Sequence, residues 1–331
     1  MHYKWGARAA LGKASGAPSK AGVARILFIT SNRIGDAVLS TAALEHALTR
    51  FPGAGVVVAC GPLPAPLFRA TPGLERIERI DKREGRWSDL WRRLRHERFD
   101  LAIDLRGSLV TLGVRAKQRI IHRKTRAVRH KLEELAELLR LDAPPTPKLH
   151  IDAEAQASAH RVLGDSQGVL ALGPGANFIG KRWPPEMFAE LARRLAGAPV
   201  VLFGAPEDAP ICAAIGATLA ANGVTAIDAA GKLDLLAAAA ALTRARLFVG
   251  NDSGLMHIAA AVGAPTVGLF GPSDERVYGP WGARTRAVRG PRSFEEVLSV
   301  GYMPLIEFTL MDDLPVEKVE AAARSLLAEE A

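Results

Sequence analysis

GNDSGLMHIAAAVGAPTVGLFGPSD, residues 250–274, is the stretch whose reading decides the fold. Residues 246–250 (RLFVG) lead into it as an apolar run of strand length. Asn251-Asp252-Ser253 is helix-starting chemistry, followed by Leu255, Ile258, Ala259 and Val262 at helical spacing. Gly263 stops that helix. Residues 265–270 (PTVGLF) read as a second buried strand, closed by the turn Gly271-Pro272-Ser273-Asp274. A strand feeding a helix through a tight Gly/Ser turn aims open backbone N–H groups, at the positive end of the helix dipole, at whatever lies above the sheet. The stretch therefore predicts a phosphate site built on Ser253 and Gly254. Asp252 lies in that turn, where a carboxylate opposes phosphate unless it serves another part of the ligand. His257 falls one helical turn after Ser253, on the same side of the helix. The competing reading makes Asp252 and Ser253 helix caps and His257 a packed residue.

Outward from this stretch the same plan repeats. The second half offers strands near 169–173, 199–204, 225–228, 246–250 and 266–270 with helices between. In the first half, 25–30 (RILFIT) is a buried strand, and Ser31-Asn32-Arg33-Ile34-Gly35-Asp36 opens a helix with Val38, Leu39, Ala42, Ala43 and Ala47 on one face. Strands follow at 56–60 and 100–105, with a weaker candidate at 120–121, then an amphipathic helix at 130–141. DAPPTPK, 142–148, cannot be regular structure. Strict alternation predicts an α/β chain of two doubly wound, Rossmann-like parallel-sheet domains. We place a flexible basic tail at 1–23, a first domain at 24–150 and a second at 151–314. Ligands of such sheets collect at the carboxyl ends of the strands, so two such domains imply a cleft between those ends. Gly35-Asp36 and Asp104-Arg106-Gly107 lie at strand ends of this kind.

Composition narrows the partners. The 331 residues carry a net charge of +8, which points to an anionic partner. No apolar run of about 18 residues exists to span a bilayer. The tail has Lys4, Arg8, Lys13 and Lys20 without the apolar middle of a signal peptide, and the two cysteines, Cys60 and Cys212, sit in apolar settings. The expectation is a cytoplasmic protein with buried thiols. Residues 114–132 carry Arg115, Lys117, Arg119, Arg123, Lys124, Arg126, Arg129 and Lys131 with no acidic residue. Such a run is either a solvated face or a site for an anion. It has no aromatic side chain, so nucleic acid is not the expected partner. Anionic sugars or lipid headgroups suit it better, and Arg83, Arg86, Arg92, Arg93 and Arg95 around Trp87 and Trp91 suggest a second surface that touches a membrane.

Two nucleotide motifs are decoys. Gly173-Pro174-Gly175 begins a dinucleotide fingerprint, but Phe178 stands at its third glycine. Residues 175–181 fit G-x-x-x-x-G-K, yet Arg182 replaces the magnesium-holding Ser or Thr, and Trp183-Pro184-Pro185 breaks the required helix. What remains is a Gly-rich loop with Lys181 and Arg182 for a phosphate. D-x-D carboxylate pairs are absent, so neither metal nor cofactor is expected. Glu207 stands at the same rim, either as an acceptor of ribose hydroxyls or as a first-turn helix carboxylate.

These residues resemble a known family. Arg33-Ile34-Gly35-Asp36 with Thr41, Lys181-Arg182-Trp183-Pro184, Gly204 with Glu207, Gly250-Asn251-Asp252-Ser253-Gly254 with His257, and Tyr278-Gly279-Pro280-Trp281-Gly282 are similar to the glycosyltransferase family 9 heptosyltransferases of lipopolysaccharide core synthesis. Ile179-Gly180 stand where that family often has Thr or Ser before its lysine. The resemblance implies a GT-B fold, ADP-heptose as donor, a lipid A-linked Kdo or heptose acceptor, inversion and no metal. It implies Asp36 as general base, Lys181 on the diphosphate, Glu207 on the ribose, and Asp252 with the Ser253 and Gly254 amides on sugar and phosphates, with His257 beside them. Arg33, Arg106, Arg115, Arg123 and Arg126 are the acceptor-side candidates, and the protein is expected peripherally on the cytoplasmic face of the inner membrane. A C-terminal helix at 315–329 is expected to pack back on the first domain. The alternatives are a GT-B enzyme with another nucleotide-sugar donor, a nucleotide-sugar epimerase, and a non-catalytic binder of anionic glycolipid.

Overall fold

Two parallel sheets organise the chain in a computed structural model, which describes residues 23–80, 86–123, 127–195, 197–300 and 306–329. The expected basic tail, apart from Val23, lies outside the described residues, as do Arg83, Lys124 and Arg126. The described residues form two compact units, one within 23–127 and 131–147, the other within 128–130 and 148–329.

The first unit runs β1 (Arg25–Ile29), α1 (Ile34–Arg50), β2 (Gly55–Cys60), β3 (Leu74–Arg79), α2 (Arg86–Leu94), β4 (Arg98–Asp104), β5 (Arg115–Ile121) and α3 (Lys131–Leu139). Its strands are parallel in the order β3-β2-β1-β4-β5. β1, β2 and β4 are the inner strands and mostly buried, which is why the stretches ILFI, VVVAC and LAI within them read as apolar runs. β3 and β5 are the edges and carry LERIER and RAKQRII, so charge hides them from an apolar reading. The first part of the cationic run is thus a strand.

The second unit runs α4 (Ala153–Leu163), β6 (Val169–Gly173), α5 (Pro185–Arg194), β7 (Val200–Leu202), α6 (Ala209–Ala221), β8 (Ala226–Asp228), α7 (Leu235–Leu242), β9 (Ala245–Asn251), α8 (Gly254–Ala261), β10 (Thr266–Phe270), α9 (Glu275–Tyr278), β11 (Thr285–Arg289), α10 (Phe294–Leu298) and α11 (Val316–Ala328). The order β8-β7-β6-β9-β10-β11, all parallel, adds one edge strand, β11, to those expected. The C-terminal helix takes part in the second unit's packing. Val316, Val319, Ala323 and Leu326 of α11 bury themselves in the second unit's own core, with Trp183, Leu191, Leu247 and Val267. The reason is complementarity at hand: α5, β9, β10 and β11 offer an apolar face that α11 fills.

In each sheet the order reverses between the first and fourth strands, β1 and β4 in one, β6 and β9 in the other. Such switch points open a crevice at the carboxyl ends. The two crevices hold the candidate residues.

Candidate functional site

At the second unit's switch point, Gly173 of β6 lies in register with Gly250 of β9. A Cβ on Gly250 would lie 2.6 Å from the Phe248 ring and 2.8 Å from the Gly173 carbonyl oxygen, so this floor excludes side chains. The chain leaves β9 through Asn251-Asp252-Ser253. Asn251 is fully buried; its amide donates to the Pro174 carbonyl at 2.7 Å and accepts the Trp183 N–H at 3.1 Å. One side chain thereby ties both ends of the Gly-rich loop to the strand end. Trp183 anchors the far side, its buried indole N–H donating to the Leu314 carbonyl at 2.9 Å.

Lys181, on a short 3-10 turn at Ile179–Lys181, places Nζ 2.6 Å from Asp252 Oδ2. The side chains are 16% and 9% exposed, so this ion pair is shielded from screening. His257 Nε2 stands 4.0 Å from the other oxygen of Asp252. The capping reading of the turn fails: the Ser253 side chain makes no cap bond to α8, and its Oγ is buried without a partner among the described residues. An uncapped helix start with a buried hydroxyl, next in the chain to the carboxylate that pairs with Lys181, offers hydrogen-bond donors suited to an acceptor-rich anion. Arg182 is not available to it in the same way. Its guanidinium donates to the Ala176 carbonyl at 3.0 and 3.2 Å and lies 3.5 Å from Asp208. Arg182 holds the loop, a correction to its reading as a phosphate cation. Glu207 is exposed on the Pro206–Asp208 turn after β7, while its buried neighbour Asp208 accepts the Ala205 N–H at 3.0 Å. Gly175 lets the Asp208 carboxylate sit against the loop, since a Cβ there would stand 2.1 Å from Asp208 Oδ2 and force that side chain to move.

At the first unit's switch point Asp36 occupies the opening turn of α1. The helix begins after Arg33 without a side-chain cap. The hydrogen bond resolved to the Asp36 carboxylate comes from Ser31 Oγ at 3.3 Å. That hydroxyl also accepts from the Arg33 N–H at 3.1 Å and from the Arg106 guanidinium at 3.3 Å. Ser31, which the sequence showed only as a turn residue, is the hub that gathers Arg33, Asp36 and Arg106. Asp104, the other carboxylate at this rim, is fully buried and accepts from the Arg106 N–H, the Ser108 N–H and Ser108 Oγ at 3.0, 3.0 and 2.7 Å. It builds the turn that carries Arg106, and its full burial keeps the carboxylate away from the open rim.

The cationic run does not act as one surface. Lys117 pairs with Asp100 of the neighbouring strand at 2.7 Å and Lys131 with Glu134 at 2.8 Å, so the acids absent from the run come from elsewhere in the fold. Arg119 donates to three backbone carbonyls. Arg115 lies in register with Arg98 at the amino end of β5, whereas Ile121 at the other end is in register with Asp104. Six residues of strand separate it from the rim that holds Asp36, about 20 Å at roughly 3.3 Å per residue. Arg115 is thus not brought to the acceptor-side rim. Arg123 follows β5 at the correct end and is exposed. Trp87 packs against the first unit's core instead of forming an open aromatic surface. Among the described residues no three His, Cys, Asp or Glu side chains form a metal-binding group, and no helix is long and apolar enough to cross a membrane.

The model of glycosyltransferase family 9 (heptosyltransferase) matches residues 110–298. Lipopolysaccharide heptosyltransferase 2 of Escherichia coli is 34% identical over 173 residues, 51% of this chain and 50% of that protein. Lipooligosaccharide heptosyltransferase 2 of Haemophilus influenzae is 26% identical over 305 residues, 80% of this chain and 88% of the relative. The chain spans about half the length of the first two curated relatives it matches, 50% and 49%. The solved structure of a family 9 glycosyltransferase from Veillonella parvula has a TM-score of 0.78 at 23% identity, covering 94% of this chain and 99% of that one. That of E. coli ADP-heptose heptosyltransferase II gives 0.73 at 24% identity, covering 92% and 99%. These two likenesses establish the fold as GT-B-like.

Proposed function

The chain belongs to glycosyltransferase family 9, and on that premise we propose that it transfers heptose from ADP-heptose to a sugar hydroxyl of the lipopolysaccharide inner core, with inversion and without a metal. The observation that carries the donor half is the buried, unpartnered Ser253 hydroxyl at the uncapped start of α8, beside the shielded Lys181–Asp252 pair. A diphosphate supplies what Ser253 and the first amides of α8 lack, and Lys181 neutralises the charge that develops as the nucleotide leaves. Asp252, already fixed by Lys181, is left to accept hydrogen bonds from sugar hydroxyls, with His257 behind it. Glu207 accepts from the ribose.

On the acceptor side, Asp36 takes the proton of the attacking hydroxyl. Ser31 fixes its carboxylate, and Arg33, Arg106 and Arg123 receive the anionic groups of the acceptor. Attack at the anomeric carbon on the face opposite the leaving diphosphate inverts that centre. The names of the E. coli and H. influenzae relatives support this sugar and this polymer.

Calorimetry with ADP, UDP and GDP, followed by turnover of ADP-heptose on truncated lipopolysaccharide with and without EDTA, tests the reading. ADP is expected to bind best, and turnover to survive EDTA. A preference for UDP would move the donor class, and loss of turnover on chelation, restored by magnesium, would overturn the metal-free step.

A further inference from the structure

The first unit carries an apolar ledge that the transfer chemistry leaves unused. In the crossover from β4 to β5, at a short 3-10 turn spanning Val110–Gly113, the side chains part in two directions. Val110 and Thr111 are buried, whereas Leu109 and Leu112 are each 61% exposed. The ledge is held from below. The Arg119 guanidinium donates to the carbonyls of Thr111, Ala116 and Val114 at 2.8, 2.8 and 2.7 Å, and the Trp91 indole N–H donates to the Gly113 carbonyl at 2.9 Å. Leu109 holds a φ of 64°, a left-handed backbone that bulky side chains rarely adopt.

Its surroundings have a consistent chemistry. Trp91, 37% exposed, continues the apolar surface, and the Arg95 guanidinium stands 5.3 Å from its ring centroid. Arg115 follows the ledge in the chain, exposed, and Arg92 on α2 is exposed while bridging Asp89 at 2.9 Å. Exposed leucines, an amphipathic indole and surrounding arginines match the headgroup region of an anionic bilayer. A solvated loop accounts for the arginines but leaves two projecting leucines, one of them in a glycine conformation, without a reason.

We infer that this ledge docks the first unit on an anionic lipid surface, Leu109 and Leu112 entering the acyl boundary while the arginines meet lipid phosphates. The inference rests on the lipid-borne acceptor of the proposed function. The β4-to-β5 crossover that carries the ledge also carries Arg106 at the acceptor-side rim, three residues before Leu109. Docking gives Arg115, which the sheet places away from that rim, a role of its own.

Flotation of the full chain with vesicles tests this. Binding is expected to phosphatidylethanolamine vesicles containing phosphatidylglycerol, to fall with salt, and to be weak on phosphatidylcholine alone. Leu109→Ser with Leu112→Ser should lower partitioning at least about tenfold. Leu109→Gly separates docking from folding: glycine suits this φ, so the melting temperature should hold or rise while partitioning falls severalfold. Turnover on a deacylated, water-soluble acceptor should be unchanged in both variants. Wild-type protein that ignores phosphatidylglycerol, equal binding to phosphatidylcholine, or variants that float like wild type would each overturn the ledge. Flotation as expected with no transfer to the soluble acceptor would support the ledge and sink the heptosyltransferase reading alone.

Discussion

Single residues carry the chemistry, and the structure makes their roles separable. Asp36 stands in the first turn of α1, a place where a carboxylate commonly serves as a cap, but its resolved partner is the Ser31 hydroxyl. Asparagine accepts that hydrogen bond about as well as aspartate, so Asp36→Asn should keep its melting temperature within a few degrees. It cannot take a proton, and turnover should fall at least about 10²-fold with ADP affinity retained. Wild-type turnover in that variant would remove Asp36 from the mechanism. Lys181 and Asp252 form a second test because neither acts alone. Lys181→Ala removes the cation that meets the diphosphate and leaves the Asp252 carboxylate, 8% exposed, with its charge uncompensated beside the anion site. ADP binding should weaken by about 1.5 to 3 kcal/mol, the range for a hydrogen bond to a charged group. Adding Asp252→Asn removes the repulsion, so the double variant should bind ADP more tightly than Lys181→Ala, with a coupling of about 0.5 to 3 kcal/mol. Additive losses in calorimetry would show that the ion pair plays no part in placing the phosphates.

At the scale of elements, the second unit's site is a strand end, a loop and a helix start fastened by Asn251. Asn251→Ala leaves the buried Trp183 N–H and Pro174 carbonyl without their partner, at about 1–3 kcal/mol for each group. We expect a loss of about 2–6 kcal/mol in urea unfolding together with weaker ADP binding, since the loop bearing Lys181 is released at both ends. Unchanged ADP affinity would show that the loop holds its shape without the strand. The same scale explains what was legible in the sequence. Interior strands such as β6 and β10 are covered on both faces, so VLALG and TVGLF announce themselves as apolar runs. β3, β5 and β11 are edges, where charge is compatible with pairing on one side, and LERIER, RAKQRII and TRAVR gave little or no strand signal. The anion turn at Ser253 was readable because a phosphate site is local, made from consecutive residues. Ser31 as a hub, Arg182 as a loop clamp and the seat of α11 depend on partners distant in the chain, such as Arg106, 75 residues from Ser31, and Leu314, 131 residues from Trp183, and no local pattern encodes them.

At the scale of the whole molecule, each unit holds one buried thiol, and the two report on the units separately. Burial pushes Cys60, at the end of β2, and Cys212, in α6, from 9.0 up to about 12. A thiol whose native value is raised ionises first in the unfolded chain, so its stabilising contribution is complete below pH 9 and is lost as pH rises from 9 toward 12. Each should lower stability by about 1.4 kcal/mol per pH unit in that window, and Cys60→Ala and Cys212→Ala should each flatten the slope in urea titrations. The thiols also report where the donor binds. Thiolates react only when they reach solvent, so labelling of Cys60 follows opening of the first unit and labelling of Cys212 opening of the second. A ligand that binds only native protein stabilises the unit holding its site, by about 2.7 kcal/mol at one hundred times its dissociation constant. With Lys181, Asp252 and Ser253 all in the second unit, saturating ADP should slow Cys212 labelling by about a hundredfold and leave Cys60 labelling nearly unchanged, read by mass spectrometry of the two cysteine peptides. Equal protection of both thiols would mean that the units open together or that the nucleotide is held by both, and protection of Cys60 alone would move the donor site to the first unit.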